Sequence, residues 1–123
     1  MKENNNILII VDRIVNRDDF FRYITSILKD GICTYYGQSY DIKTKTKHIK
    51  ITCYDDEYKY NEHFPIDKPD IIILDMALDT DKHNKEIKHY QSVTDNLIYI
   101  DIDEIIHSWL VREVKGEKLN IID

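Results

Sequence analysis

The sequence predicts a single-domain α/β protein in which a mostly parallel sheet is flanked by helices. Three short apolar segments rich in isoleucine and valine, Ile7 to Val11, Ile71 to Leu74 and Leu97 to Ile100, each run directly into an aspartate. Such continuous apolar runs are typical of parallel strands that are covered on both faces. Segments of helical periodicity separate the runs, which favours a doubly wound arrangement. We expect one domain over residues 1–123, since this length is typical of a single core.

The first helix is predicted to follow the first apolar run. Asn16 is in position to cap it, and Asp18 and Asp19 come next, where negative charge is favourable near a helix N-terminus. Gly31 is expected to end the helix. The predicted inner face is an apolar stripe at helical spacing, formed by Phe20, Phe21, Ile24, Ile27 and Leu28.

Residues 32–54 alternate between apolar and polar side chains, and this period of two predicts strands with one solvated face. One strand is expected around Cys33 to Tyr36. A longer pair follows, with its bend between Asp41 and His48. We therefore predict a Rossmann-like sheet with a β-hairpin insertion at about residues 38–54.

The second half of the chain supplies the remaining elements. Residues 55–69 are acidic, rich in tyrosine and end in proline, which predicts an exposed loop. A helix with Ile87 and Tyr90 on its inner side is expected before the third apolar run. The last helix is predicted from about Asp103, with Trp109 on its buried face, and the final LNII is typical of a closing edge strand.

Composition narrows the class of protein. A formal net charge of −6 argues against a generally basic nucleic-acid binder. The apolar run before Asp12 is too short for a signal peptide or a membrane span, so we expect a cytoplasmic protein, located in the host cytoplasm if it is viral. Cys33 and Cys53 lack the spacing of a redox or zinc pair and are expected to be reduced, buried thiols.

Three carboxylates stand at predicted strand ends: Asp12, Asp75 and Asp101. Ligands on parallel sheets bind beyond the carboxyl ends of the strands. Clustered carboxylates are also what a hard divalent cation such as Mg²⁺ requires. We therefore predict that Asp12, Asp75 and Asp101 hold Mg²⁺ if their strands are neighbours. The alternative is that these aspartates cap helices and form turns.

The segments ILIIVDR and KPDIIILDMALDTDKHN resemble two parts of response-regulator receiver domains. In that family the first segment is the opening strand with its acidic pocket, and the second carries the phosphorylated aspartate. The resemblance implies that Asp75 is the phosphate acceptor and that Asp12 belongs to a Mg²⁺ pocket. The chain has Asp12 followed by Arg13 where the family has an acid pair, so it resembles a degenerate receiver.

The order NILIIV, helix, KTKHIKITCYD and KPDIIILD also resembles the P-loop ATPase core of viral terminases and helicases, taken after the nucleotide-binding loop. In this comparison KPDIIILD matches the Walker B strand. The chain contains no GxxxxGK[ST], and Met76 follows Asp75 where a catalytic glutamate would stand. This resemblance therefore implies a degenerate core that lacks Walker A and has no ATPase activity.

The predicted hairpin and loop supply a second set of candidate residues. Lysines on a β-ribbon neutralise phosphates and tyrosines stack on bases, but alternating lysines also solvate an outer face and protect an exposed edge. We expect four lysines of the hairpin to project from one face. The interaction candidates are Tyr35, Tyr36, Lys43, Lys45, Lys47, Lys50, Tyr54, Tyr58 and Tyr60.

Each catalytic pattern that the chain approaches lacks a necessary part, so the sequence favours a non-enzymatic protein-interaction module without a cofactor. The bias towards Ile, Lys, Asn, Asp and Tyr is typical of AT-rich genomes, and we interpret the chain as a phage or viral accessory factor that binds a host or viral protein. The alternative is a Mg²⁺-dependent phosphoacceptor or phosphodiester-processing domain. We expect a protein partner and no membrane contact. Assembly into homo-oligomers remains open, and nucleic-acid binding remains open but is less favoured.

Overall fold

The computed structural model describes residues 5–36, 39–53 and 69–115. The predicted loop at 55–69, apart from Pro69, and the predicted LNII strand lie outside these ranges. In chain order, the elements are β1 (Asn5–Val11), α1 (Ile14–Ile27), β2 (Ile32–Tyr36), β3 (Ser39–Lys43), β4 (Lys47–Cys53), β5 (Ile71–Asp75), α2 (Asn84–Val93), β6 (Leu97–Ile100) and α3 (Ile102–Lys115).

The six strands form one mixed sheet in the order β2-β3-β4-β1-β5-β6. The central strand β1 runs parallel to both β4 and β5, and β6 runs parallel to β5. The other two pairs, β2 with β3 and β3 with β4, are antiparallel. The sheet is therefore mixed and not mostly parallel as expected, because β2 and β3 extend it beyond β4 through two antiparallel pairs.

The central strand β1 buries side chains on both of its faces, because successive side chains of a strand point to opposite sides. In β1, Ile7, Ile9 and Val11 pack against α1 and α3, whereas Leu8 and Ile10 pack on the side of α2. The predicted burial of Trp109 is confirmed, since this residue is only 7% exposed and its ring meets that of Tyr23 edge-on. The helices thus cover the two faces of the sheet, as in the expected α/β architecture.

The first helix starts earlier than predicted. It begins at Ile14, so Arg13 holds the N-cap position and makes no side-chain capping bond. Asn16, which was expected to be the cap, is buried inside the helix, and its Nδ2 has no hydrogen-bond partner among the described residues. The reason is that no proline or glycine separates the end of β1 from Asn16, so the helix starts directly after the strand.

Two further expectations about this half of the chain need correction. Helix α1 ends at Ile27, so Gly31 lies beyond the helix end rather than terminating it. Cys53 is buried as expected, but Cys33 is exposed because it lies on the outermost strand, β2. Within the described ranges, no helix is long and apolar enough to cross a membrane.

Candidate functional site

The carboxyl edge of the sheet brings together the ends of β1 and β5. Asp75 closes β5 and is 1% exposed. Its Oδ2 accepts a hydrogen bond from the backbone N–H of Asp12 at 3.2 Å, and its Oδ1 accepts one from the N–H of Ala77 at 3.0 Å. The carboxylate therefore ties the end of β1 to the turn after β5.

The surroundings of Asp75 favour its neutral form. Burial raises the pKa of Asp75, the two backbone hydrogen bonds act in the opposite direction, and the charges of Asp103 and Asp12 raise the pKa further. Asp103 also forms an ion pair with Arg13, with 3.6 Å between the charged atoms, but both side chains are more than half exposed. This pair is consequently screened by water and stabilises the edge little.

Asp101 has a different local role. Its Oδ1 accepts a hydrogen bond from the backbone N–H of Glu104 at 3.1 Å, which is the geometry of a side-chain cap at the start of α3. The structure thus brings Asp12 and Asp75 together, while Asp101 caps a helix. In residues 5–36, 39–53 and 69–115, no group of three or more His, Cys, Asp or Glu side chains is arranged to hold a metal ion. The prediction of Mg²⁺ at Asp12, Asp75 and Asp101 rests on the sequence pattern alone.

Apolar side chains are exposed around this edge. Ile14 and Val15, which open α1, and Met76, which follows β5, are 46%, 55% and 63% exposed. The backbone N–H of Met76 donates to the carbonyl of Ile100 at 2.8 Å, so the turn that carries Met76 is fixed to β6. The edge consequently presents apolar side chains around a buried acid, an arrangement more typical of a contact surface than of a polar catalytic cleft.

The most exposed strand is β2, which is the outermost of the described strands on its side of the sheet. Ile32 is 73% exposed and Tyr35 is 54% exposed, and Cys33 and Thr34 between them are exposed as well. The strand sequence ICTYY contains neither a charged residue nor a proline. The structure therefore leaves an uncharged and partly apolar strand at this edge.

A cluster of aromatic rings supports the exposed Tyr35. Its ring lies 4.6 Å from that of Tyr40, and the ring of Tyr40 stacks on Phe21 of α1 at 4.0 Å. The guanidinium of Arg17 lies 5.1 Å from the centre of the Tyr35 ring and 5.3 Å from that of Tyr40. Cation–π contacts of this kind stabilise an arrangement by roughly 0.5–2 kcal/mol, the larger values applying where water is excluded.

Asp18 fixes the charged member of the cluster. Its Oδ1 accepts hydrogen bonds from Nε and Nη2 of Arg17, at 3.1 and 2.9 Å, and from the hydroxyl of Tyr40 at 3.0 Å. Burial lowers the pKa of Arg17, but the hydrogen bonds and the charge of Asp18 outweigh it and leave the pKa raised. Arg17 is therefore a permanent cation buried beneath the two tyrosine rings.

The lysines of the hairpin do not project from one face. Lys50 is 3% exposed, and its Nζ lies 4.0 Å from Oδ1 of Asp41. Burial lowers the pKa of Lys50, and the charge of Asp41 offsets part of this decrease. Lys43 pairs with His48 across the turn, which places Lys43 and Lys50 on one face and Lys47 on the other. Lys45 lies in the turn itself. The expectation was wrong because a four-residue connection between Lys43 and His48 changes which positions share a face.

Of the predicted tyrosines, Tyr35 is the one whose surface position the structure describes. Tyr54, Tyr58 and Tyr60 lie outside the described residues, as does the side chain of Tyr36. Sequence analysis missed Ile32 and Arg17. The signal for Ile32 was present, because a strand without charges next to a lysine-rich turn is unusual for an edge. Arg17 gave no signal, since only the fold places it under Tyr35.

Comparison of the chain with protein-family models, with curated proteins and with solved structures found no match.

Proposed function

We propose that the protein is a non-enzymatic interaction module that binds an extended segment of a partner protein as an additional strand beside β2. The observation that carries this proposal is the exposed and uncharged β2, with Ile32 at 73% and Tyr35 at 54% exposure. The composition adds the proposal that the chain is a phage or viral accessory factor, whose partner is a host or viral protein.

An exposed edge strand offers a row of backbone N–H and C=O groups to another chain. Proteins usually protect such edges with lysine, proline or a bulge, and β2 has neither of these residue types. In strand addition, main-chain hydrogen bonds supply affinity and alternate side-chain contacts supply specificity. Tyr35 on one face of β2 and Ile32 on the other are the two apolar contacts available to an added strand.

Tyr35 has the properties of a binding anchor. The ring is held against Tyr40 and over Arg17 before any partner arrives. A side chain that is already ordered loses less conformational entropy on binding, and tyrosine is enriched among residues that dominate interfaces. The partner segment we propose therefore carries an apolar or aromatic residue where it meets Tyr35. Basic residues beside that segment would be attracted by the net charge of −6.

The carboxyl edge gives less support to the alternative of Mg²⁺-dependent phosphoryl chemistry. A phosphoacceptor must be reached by its phosphodonor, but Asp75 is 1% exposed and both of its oxygens accept backbone hydrogen bonds. Asp101 is engaged as a helix cap. These contacts account for an aspartate at each of the two positions without requiring that either side chain takes part in a reaction.

The test is selection of a random peptide library displayed on phage against three immobilised proteins: the wild type, Ile32→Lys and Ile98→Lys. Ile98 lies on β6 at the opposite edge of the described sheet and is 45% exposed, so it is a matched control. We expect the wild type and Ile98→Lys to enrich the same peptides, with apolar residues at alternate positions. Ile32→Lys should lose them, because a charge now lies in the path of the added strand.

Enrichment that is unchanged by Ile32→Lys, or lost only with Ile98→Lys, would contradict the proposal. A second copy of the chain is the other protein that can pair with β2. Sedimentation velocity of the same three proteins distinguishes this case, since pairing between copies would give a wild-type dimer that Ile32→Lys dissociates.

A further inference from the structure

A small cleft lies at the turn between β3 and β4, close to the start of β1. It has a volume of about 280 Å³ and is lined by Asn6, Lys43, Thr44, Lys47 and His48. The cleft is formed at the amino end of β1, whereas Tyr35, Asp75 and Asp101 belong to the other sites described above. It adjoins the surface proposed for the partner strand, because Lys43 is the cross-strand neighbour of Ile32 on β2.

The cleft is positively charged although the whole chain is acidic. Lys43 and Lys47 contribute two ammonium groups, and neither has a carboxylate partner within 4.0 Å in the described part of the chain. Two acids lie beside the cleft, and each contacts a residue that lines it. Asp41 lies 3.3 Å from Nε2 of His48, and a carboxylate oxygen of Asp70 accepts the backbone N–H of Asn6 at 2.8 Å.

The hydrogen bonds of the turn fix the shape of the cleft. Oγ1 of Thr44 accepts the backbone N–H groups of Lys47 at 2.9 Å and of Thr46 at 3.3 Å. The N–H of Thr44 donates to the carbonyl of Lys47 at 2.8 Å. Lys43 and Lys47, which flank this closed turn, both line the cleft.

The size of the cleft limits its ligand. Pockets for drug-sized ligands usually measure roughly 300–1,000 Å³, so about 280 Å³ fits a compact molecule rather than a dinucleotide. The lining is basic or amide-bearing, and lysine is a common ligand for phosphate in proteins. Carboxylates bind the same groups, but a phosphate monoester offers more oxygens and more negative charge to two separated lysines.

The geometry points to a binding site for a small phosphate group between Lys43 and Lys47, with Asn6 as an additional polar contact. The ligand class is free phosphate or a phosphorylated metabolite of nucleoside monophosphate size. No residue of β2 lines the cleft, so the site does not need a partner strand in order to form.

The test is titration of isotope-labelled protein with inorganic phosphate and with adenosine monophosphate, followed by backbone amide NMR shifts at constant ionic strength set by sodium chloride. The chloride background removes general screening effects, which act on all exposed charges. We expect saturable shifts centred on Lys43, Thr44, Lys47 and His48. Lys43→Gln and Lys47→Gln should each weaken binding by about tenfold, because each removes one charge-assisted contact.

Lys45→Gln is the matched control, since Lys45 lies in the same turn but does not line the cleft. We expect it to weaken binding by less than about threefold, as a loss of charge outside the site should act only through screened Coulombic attraction. Equal weakening by all three variants would overturn the proposal and indicate a diffuse charge effect. Absence of saturable shifts would overturn it as well, and so would tighter binding of a single-stranded oligonucleotide with shifts that extend to Tyr35.

Discussion

Asp75 is the buried acidic side chain in the described part of the protein, and its burial has a measurable consequence. Two backbone N–H groups from different segments converge on its carboxylate, so the side chain is needed to satisfy both donors. At the same time the folded protein removes the carboxylate from water, which disfavours its charge. Asp75 therefore joins the end of β1 to the turn after β5, and the free energy that its burial costs depends on pH.

The ordinary pKa of an aspartate is 3.8, and the pKa of Asp75 is raised in the folded protein. We predict that the free energy of unfolding of the wild type, measured relative to that of Asp75→Asn, falls as the pH rises from 3.8 through this raised pKa. A raised pKa means that the folded state binds the proton more tightly than the unfolded state, so this stabilisation is complete at low pH and is lost on deprotonation. Urea unfolding across this pH range measures the effect. Asp75→Asn should also lower the free energy of unfolding by about 1–3 kcal/mol, because its amide offers one acceptor oxygen to two N–H donors.

Asp95→Asn is the matched variant for the loss of one negative charge, since Asp95 is exposed in the turn before β6. If the stabilities of the wild type and Asp75→Asn followed parallel lines against pH, the burial of the carboxylate would not be the controlling interaction.

At the scale of elements, the two roles suggested for Asp101 predict different outcomes. Helix α3 begins directly after this residue, and the Asp101 side chain accepts the N–H of Glu104. We predict that Asp101→Ala lowers the free energy of unfolding by about 0.5–2 kcal/mol, whereas Asp101→Asn changes it little, because asparagine caps helices as well as aspartate does. Thermal unfolding monitored by circular dichroism tests both variants. Equal destabilisation by both would indicate that the negative charge, and not the cap, is needed.

The connection from α1 to β2 depends on close packing at Gly31. A Cβ atom at this position would lie 2.7 Å from Cγ2 of Ile42 and 3.3 Å from the carbonyl oxygen of Leu28. We predict that Gly31→Ala destabilises the protein by about 1–3 kcal/mol, the usual cost of overpacking. The double variant Gly31→Ala, Ile42→Ala removes Cγ2 of Ile42, so its destabilisation should be smaller than the sum of the losses of the two single variants. Chemical denaturation measures both, and an unchanged midpoint for Gly31→Ala would contradict the close approach.

The sequence predicted most elements because their signals are local. The apolar runs that became β1, β5 and β6 are recognisable from isoleucine alone, and the helical stripe at Phe20 and Ile24 identified α1. Helix starts are less certain, and Asn16 shows why. Its residue type favours a cap, but the helix starts directly after β1 and so includes Asn16, whose Nδ2 has no hydrogen-bond partner in the described part of the chain. Tertiary constraints overrode the local preference in that case.

At the scale of the whole molecule, strand order was the feature that the sequence did not reveal. The alternation at Ile49, Lys50 and Ile51 predicted a strand with one solvated face, but this strand became β4 beside the central β1. Lys50 is consequently buried on the face that was expected to be wet. Pairing between distant segments decides such positions, and periodicity within one segment contains no information about it.

Strand order also determined which residues form the candidate sites. It placed β2 at the edge and so exposed Ile32 and Tyr35, and it brought Lys43 and Lys47 to a cleft beside Asn6. The predicted candidates Tyr35, Lys43 and Lys47 therefore divide between the β2 surface and the neighbouring cleft. Aspartates at strand ends were easy to find in the sequence. Their contacts are structural, because Asp75 links the end of β1 to β5 and Asp101 caps α3.

The most direct measurement is backbone amide hydrogen exchange across Ile32–Tyr36, with and without the tightest peptide from the phage selection. Only alternate residues of an edge strand point their N–H groups away from the sheet. We predict that these outward N–H groups exchange rapidly in the free protein and become protected in the complex, while those bonded to β3 change little. Protection that appears instead at β6 or at the carboxyl edge around Met76, with β2 unchanged, would contradict strand addition at β2.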